Sequence, residues 1–283
     1  MCQTCKTPKE DLPIRKFRHR FEVPMIVVAF FIILVAVLVA LHFFVNGDEL
    51  SDWVSGILVG LLIPLAAFFT IRYLYWQTIS NGVEISEKQL PEIYDMYIQL
   101  ANEMGFTPNG KLKTPRLYLK NGNGVMNAFA AKCSLRRRYI VLHSDLVDVA
   151  YTNDTFEFLK FVLAHELGHH KCRHTSIWRL ILTTPLQLLF LDKSLTRAQE
   201  YTADRVAMYY AEEGAMDLIY LFSGKYMGAR IDMEAYFESI DLHQESIWLK
   251  LSNFLSSHPV GFRRLHTLKR AKTEGWDVHG KML

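Results

Sequence analysis

The sequence predicts an α+β protein behind an N-terminal pair of membrane helices, on three observations. Two long apolar runs stand near the N-terminus. Short strand-like segments with turn residues between them occupy positions 116–142, and after Ser144 the chain keeps helical spacing nearly to its end. A small sheet with helices around it is the α+β layout. The 283 residues suffice for one ordinary domain with a sizeable core plus additional segments. A net charge of +3, with no nucleic-acid motif, argues against a nucleic-acid partner.

Taken in order, the chain opens on a basic tail, residues 1–22, with Lys6, Lys9, Arg15, Lys16, Arg18 and Arg20. Pro24 to Val45 is then almost unbroken hydrocarbon, with His42 the only side chain able to carry charge. Trp53 to Ile71 is a second such run, bordered by Arg72, Tyr73, Tyr75 and Trp76. At 1.5 Å per residue each run is long enough for a hydrocarbon core of about 30 Å, and the flanking aromatic and basic residues suit its interfaces. The first run is longer than a signal-peptide core and no small-residue cleavage site follows it, so it is expected to stay in place. The expected division is a transmembrane hairpin over 23–76, with spans at 24–45 and 53–75, and a folded domain over 77–283. The loop 46–52 has no Lys or Arg, so the positive-inside rule puts the tail and the domain in the cytosol. The expected location is the inner (cell) membrane of a bacterium. Cys2 and Cys5 form a CxxC without a second pair; free thiols are expected, with an N-terminal metal or redox role as the alternative. Cys133 and Cys172 are isolated, as suits a reducing compartment.

In the domain, Leu90, Ile93, Tyr94, Tyr97 and Leu100 recur at helical spacing, predicting a helix from Ser86 to Met104 that Gly105 stops. Strands are predicted at Arg116–Leu119, Val125–Ala131 and Arg138–Leu142, with turn chemistry at Asn121–Gly124. A further helix is predicted from Asn153, Asp154 or Thr155, with Phe158, Leu159, Val162 and Leu163 on its apolar face. The apolar stretch Ile177–Leu191 is short and broken by Pro185. It is read as a helix or helical hairpin packed on the domain or the bilayer surface, a re-entrant segment being the alternative.

The chemistry sits in His165-Glu166-Leu167-Gly168-His169. Residues four apart share a helix face, so His165 and His169 can hold one zinc ion, while Glu166 can take a proton from a water held by it. A catalytic zinc site needs a third protein ligand. Glu200 and Asp204, again four apart, supply a candidate: Glu200 as ligand and Asp204 as acceptor for the free ring N–H of His165 or His169. Taken alone, the two carboxylates read more readily as an exposed acidic face of an amphipathic helix.

With HELGH, the downstream EYTAD over 200–204, and Ser257-His258-Pro259 followed by Arg264, the chain resembles the HtpX-like membrane-bound zinc endopeptidases. These are gluzincins, distantly similar to type I CaaX prenyl proteases. The resemblance covers roughly Leu90 to Lys269. It implies a zincin-type metalloprotease fold, one zinc per chain on His165, His169 and Glu200, Glu166 as general base, and Asp204 as the aspartate behind a ligand. His174 matches a recurring family histidine, read as structural. Asn127-Ala128-Phe129-Ala130 matches the family segment NAFA and implies a strand beside the cleft that pairs with extended substrate; an exposed strand edge binds any peptide backbone. His258 and Arg264 match the family's C-terminal histidine and arginine, and either could donate to an oxyanion. His258 could instead fill the open metal position at rest or be structural. The interval from His169 to Glu200 is short for the family, and Val260 stands where a proline often follows the His-Pro pair.

The sequence reading is therefore a membrane-anchored zinc metalloendopeptidase acting on polypeptides. The resemblance implies misfolded or membrane proteins as substrates, hence quality control. Glu157, Lys160, Lys171 and Arg173 around the motif argue against a site inside the bilayer. Two spans are too few for the chamber of a prenyl-protein protease. The alternative of another class is a non-proteolytic zinc-containing membrane scaffold or holdase, against which the general base Glu166 speaks.

Overall fold

The computed structural model describes residues 12–46, 52–60, 63–108, 110, 112–134, 137–176, 178–241, 246–275 and 277–282. In chain order it places helices α1 (Ile14–Phe17), α2 (Glu22–Asn46), α3 (Asp52–Gly60) and α4 (Ile63–Ser80), strand β1 (Gly82–Glu84), and helix α5 (Pro91–Glu103). Strands β2 (Arg116–Lys120), β3 (Ala128–Lys132) and β4 (Arg138–His143) follow. The helical part comprises α6 (Ser144–Asn153), α7 (Phe156–Lys171), α8 (Trp178–Leu188), α9 (Asp192–Tyr210), α10 (Tyr220–Ser223), α11 (Met233–Asp241), α12 (Ile247–Leu255) and α13 (Gly261–Glu274).

The four strands run in the order β1-β2-β4-β3. β1 and β3 pair antiparallel with their neighbours, whereas β2 and β4 are parallel, with Leu117 opposite Ile140 and Leu119 opposite Leu142. Alternation along the strands gives each face its own cover. Leu117, Ile140 and Leu142 join the main core with Ile93, Tyr97 and Leu100 of α5 and Phe158, Phe161 and Leu163 of α7. Tyr118, Tyr139 and Val141 face the other way, against Tyr75 of α4; the Tyr75 and Tyr139 rings meet edge-on at 5.1 Å. β3 is left as an edge strand.

Several boundaries differ from the sequence reading. α5 begins at Pro91, because proline fits the first helical position and Ser86 instead bridges to Gln89 in a small turn. Asn153 closes α6 and Asp154, at φ 53°, is its left-handed cap, so of the three residues offered as the N-cap of α7 it is Thr155 that takes the place, with α7 starting at Phe156. The turn at 121–124 forms, with Val125 N–H donating to Gly122 C=O at 2.9 Å. It does not make β2 and β3 neighbours, and β3 starts at Ala128 rather than Val125. β1 was not foreseen.

Among the described residues one helix, Glu22–Phe43 within α2, is long and apolar enough to cross a membrane by length and composition. Its side chains are left largely uncovered: Phe31 is 65% exposed and Leu38 56%. The second apolar run forms α3 and α4, between which residues 61 and 62 lie outside the described set. Cys2 and Cys5 also lie outside it; Cys133 and Cys172 are free thiols. The stretch 178–188 is the packed helix α8, whose Leu182 and Leu186 are buried with Met25 and Ala29 of α2 and Leu195 and Ala198 of α9.

Candidate active site

Two helices build the site, and their closeness is written in small residues. α7 crosses α9 with Gly168 against Ala203 and Val206; a Cβ at Gly168 would lie 3.1 Å from the Val206 Cβ. This approach brings Glu200 of α9 to the histidines of α7. The His165 and His169 Nε2 atoms lie 3.1 Å apart, and Glu200 reaches the first with Oε2 and the second with Oε1, both at 3.4 Å. One donor atom from each residue lies within 4.8 Å of the others. Two imidazole nitrogens and a carboxylate oxygen are the donor set of a catalytic zinc with room for a further ligand. The residues present fit such an ion.

Behind this trio, Asp204 Oδ1 lies 2.8 Å from His165 Nδ1. With Nδ1–H donating to the carboxylate, the Nε2 lone pair of His165 is directed into the site. Arg264, from α13, grips the same carboxylate with two donors, Nε to Oδ2 at 2.9 Å and the second guanidinium nitrogen to Oδ1 at 2.6 Å. Asp204 is buried, and burial alone would raise its pKa; Arg264 and His165 outweigh that and hold it down at about 2. Burial likewise opposes charge on His165, but its bonds to Asp204 and Glu200 raise it to about 10. Glu200 is held well below the carboxylate range, burial being outweighed by His165, His258 and His169. The Glu200 and Asp204 carboxylates favour positive charge on His165 between them, a further fit to a cation.

Glu166 is buried on the same turn and pushed up to about 7, by burial first and by the Glu200 charge, against the pull of His165 and Arg264. The backbone of Ala130 on β3 also pulls its pKa down, by less. His258 approaches Glu200 Oε2 with Nδ1 at 3.1 Å, its side chain 65% exposed, and that contact raises its pKa.

A cleft of about 630 Å³ collects nearly all the residues singled out in the sequence: Asn127 to Ala130 along one wall, His165, Glu166, His169 and Glu200 at its floor, and His258 and Arg264. Asp204 lies behind the floor. α4 forms another wall through Ile71, Leu74, Gln77 and Thr78, which the sequence reading assigned only to a span and its flank. Arg197 was also missed. Buried one turn before Glu200, it donates to the carbonyls of Phe254 and Ser256 at 2.8 and 2.7 Å and so holds the loop carrying His258. Its place within the same helical motif was the available signal. Lys171, whose charge counted against a site inside the bilayer, is buried in the protein, donating to Met104 C=O at 2.9 Å and lying 3.3 Å from Tyr210 Oη. Glu157 and Lys160 do reach solvent.

Two histidines and a glutamate in reach of one ion, with a further buried glutamate beside them, are the groups a metal-dependent peptidase uses. The sequence model of peptidase family M48 matches residues 87–193 and 177–272, and the chain belongs to that family, whose members are metallopeptidases. Among curated proteins it is 26% identical over 164 residues to the plastoglobule-localized metallopeptidase 48, chloroplastic, of Arabidopsis thaliana. That similarity covers 53% of this chain and 44% of the relative, so the chain spans less than half of the relative's length. No solved structure matches.

Proposed function

We propose that the chain is a zinc-dependent metalloendopeptidase held in a membrane by its N-terminal apolar helices, with spans near 24–45 and 53–75 and the domain on the cytosolic side. The observation that carries the catalytic reading is the convergence of His165, His169 and Glu200 at the floor of a cleft one wall of which is an edge strand. Zinc, when bound, polarises the scissile carbonyl and makes water acidic. Glu166 takes the proton of the attacking water and returns it to the leaving amine; its raised pKa suits a group that both accepts and donates near neutrality. β3 pairs with the substrate backbone, leaving side-chain choice broad. His258 donates to the oxyanion, while Arg264, already committed to Asp204, keeps His165 in register. The uncovered apolar surface of α2, and an α4 that both carries the end of the second apolar run and walls the cleft, support substrates delivered at the membrane, hence misfolded or membrane proteins.

The test is zinc content together with casein hydrolysis by the detergent-solubilised full chain. One zinc per chain and hydrolysis abolished by a chelator are expected. A zinc-loaded chain without hydrolysis would favour the scaffold.

A further inference from the structure

The two histidines of α7 are supported differently. His165 has a carboxylate, Asp204, directly on its Nδ1. His169 has another imidazole there: its Nδ1 lies 3.0 Å from Nδ1 of His174, in the turn after α7. The far nitrogen of His174, Nε2, is buried and makes no hydrogen bond among the described residues, but lies at ion-pair distance, 3.4 Å, from Oε1 of Glu22. Glu22 is 1% exposed and is the first residue of α2. It is itself held from two sides, by Arg18 at 3.1 Å and by the Thr202 hydroxyl, which donates to Oε2 at 2.9 Å.

Proton placement along this line has one consistent solution. If His169 offers the Nε2 lone pair to a metal, its neutral ring carries hydrogen on Nδ1, which must donate to His174 Nδ1. His174 then carries its own hydrogen on Nε2, facing the Glu22 carboxylate. Without a negative charge at Glu22, nothing in this line favours that tautomer of His174. The other tautomer sets two N–H groups against each other at 3.0 Å and turns His169 out of line. Ligand histidines are commonly oriented by a carboxylate, and here one reaches its histidine through a second ring.

We propose that Glu22 is a positioning residue of the metal site, fixing His169 through His174 and so linking the seating of α2 to the metal. This rests on the reading of His165, His169 and Glu200 as ligands. The link is physically short, because the segment before α2 is docked on α9: the His19 N–H donates to Thr202 Oγ1 at 2.9 Å, and Phe17 is fully buried beside Tyr209.

The experiment measures zinc affinity by chelator competition, and the visible spectrum of the cobalt-substituted form, on the full chain in detergent. Glu22→Gln keeps the size of the side chain but removes the charge, and should weaken zinc binding about 10–100-fold and shift the cobalt bands. His174→Gln should do the same, and the double variant should be no weaker than the weaker single one, because both act along one line. Folded Glu22→Gln protein with wild-type affinity and cobalt spectrum overturns the proposal, as do losses that simply add. Should Glu22→Gln not fold, wild-type affinity in His174→Gln overturns it alone. His165→Ala separates the two readings: it must empty the site, and full zinc retention there would remove the ligand assignment itself.

Discussion

α7 and α2 invert the usual relation between side-chain chemistry and burial. α7 carries three histidines, two glutamates and two lysines in sixteen residues, yet His165, Glu166, His170 and Lys171 are buried with its apolar residues. α2 is far more apolar, and Phe31, Leu34, Leu38 and Val45 stand uncovered. Leaving a large apolar side chain in water forgoes about 1.5–3 kcal/mol, so a row of them needs a medium other than water, which the proposed bilayer supplies. Burying a polar group is costly unless it is paired. In α7 three of these four have partners: His165 has Asp204, His170 has Tyr139 C=O and Thr175, and Lys171 has Met104 C=O, while Glu166 lines the cleft. The contrast teaches that function in this chain is read where polar groups are buried and answered.

The largest effect expected from breaking that pairing is at Glu200. Glu200→Ala should empty the site as completely as His165→Ala, measured as zinc per chain; full occupancy in Glu200→Ala would return the carboxylate to a merely electrostatic role. Asp204→Ala should be milder, about 10–100-fold in zinc affinity, since it acts through the His165 ring; an unchanged affinity would make the Asp204–Arg264 pair a purely structural brace. On the packing side, Gly168→Val should lower stability by about 1–3 kcal/mol, because its side chain meets Val206 on α9. Val206→Ala in the same chain should restore part of that loss, and denaturant midpoints in detergent would read both.

The smallest effect is in pH. His170 is buried neutral, its pKa brought down to about 3 by burial, with Arg138 and Lys132 adding and the Tyr139 carbonyl opposing. The unfolded chain takes up a proton near pH 6.5 that the folded chain refuses until about 3. The stability this histidine contributes is therefore intact above pH 6.5 and declines as pH falls from there towards 3. His170→Gln should flatten the fall in thermal midpoint between pH 7 and 5; an unchanged slope would show that another group governs acid sensitivity.

Much of this was legible in the sequence for a physical reason. HELGH and EYTAD each place their groups by helical spacing alone, so the face they share follows from residue numbers, and the structure brings the two faces together as the resemblance implied. β2 and β4 declared themselves as apolar runs, but their parallel pairing, and β1 beside them, depend on contacts distant in sequence. The same holds for Glu22, which lies two residues before the proline that opens the apolar run and meets His174 only in the fold. The burial of Lys171 was not legible either, because the Met104 carbonyl that receives its ammonium is distant in sequence.

In the proposed mechanism Glu166 moves a proton while His165, His169 and Glu200 hold the metal. Glu166→Gln keeps size and hydrogen-bonding reach but cannot accept that proton. Zinc content should remain near one per chain while peptide turnover falls at least about 10²–10⁴-fold. A zinc-loaded Glu166→Gln chain that cleaves peptides at the wild-type rate would contradict the mechanism.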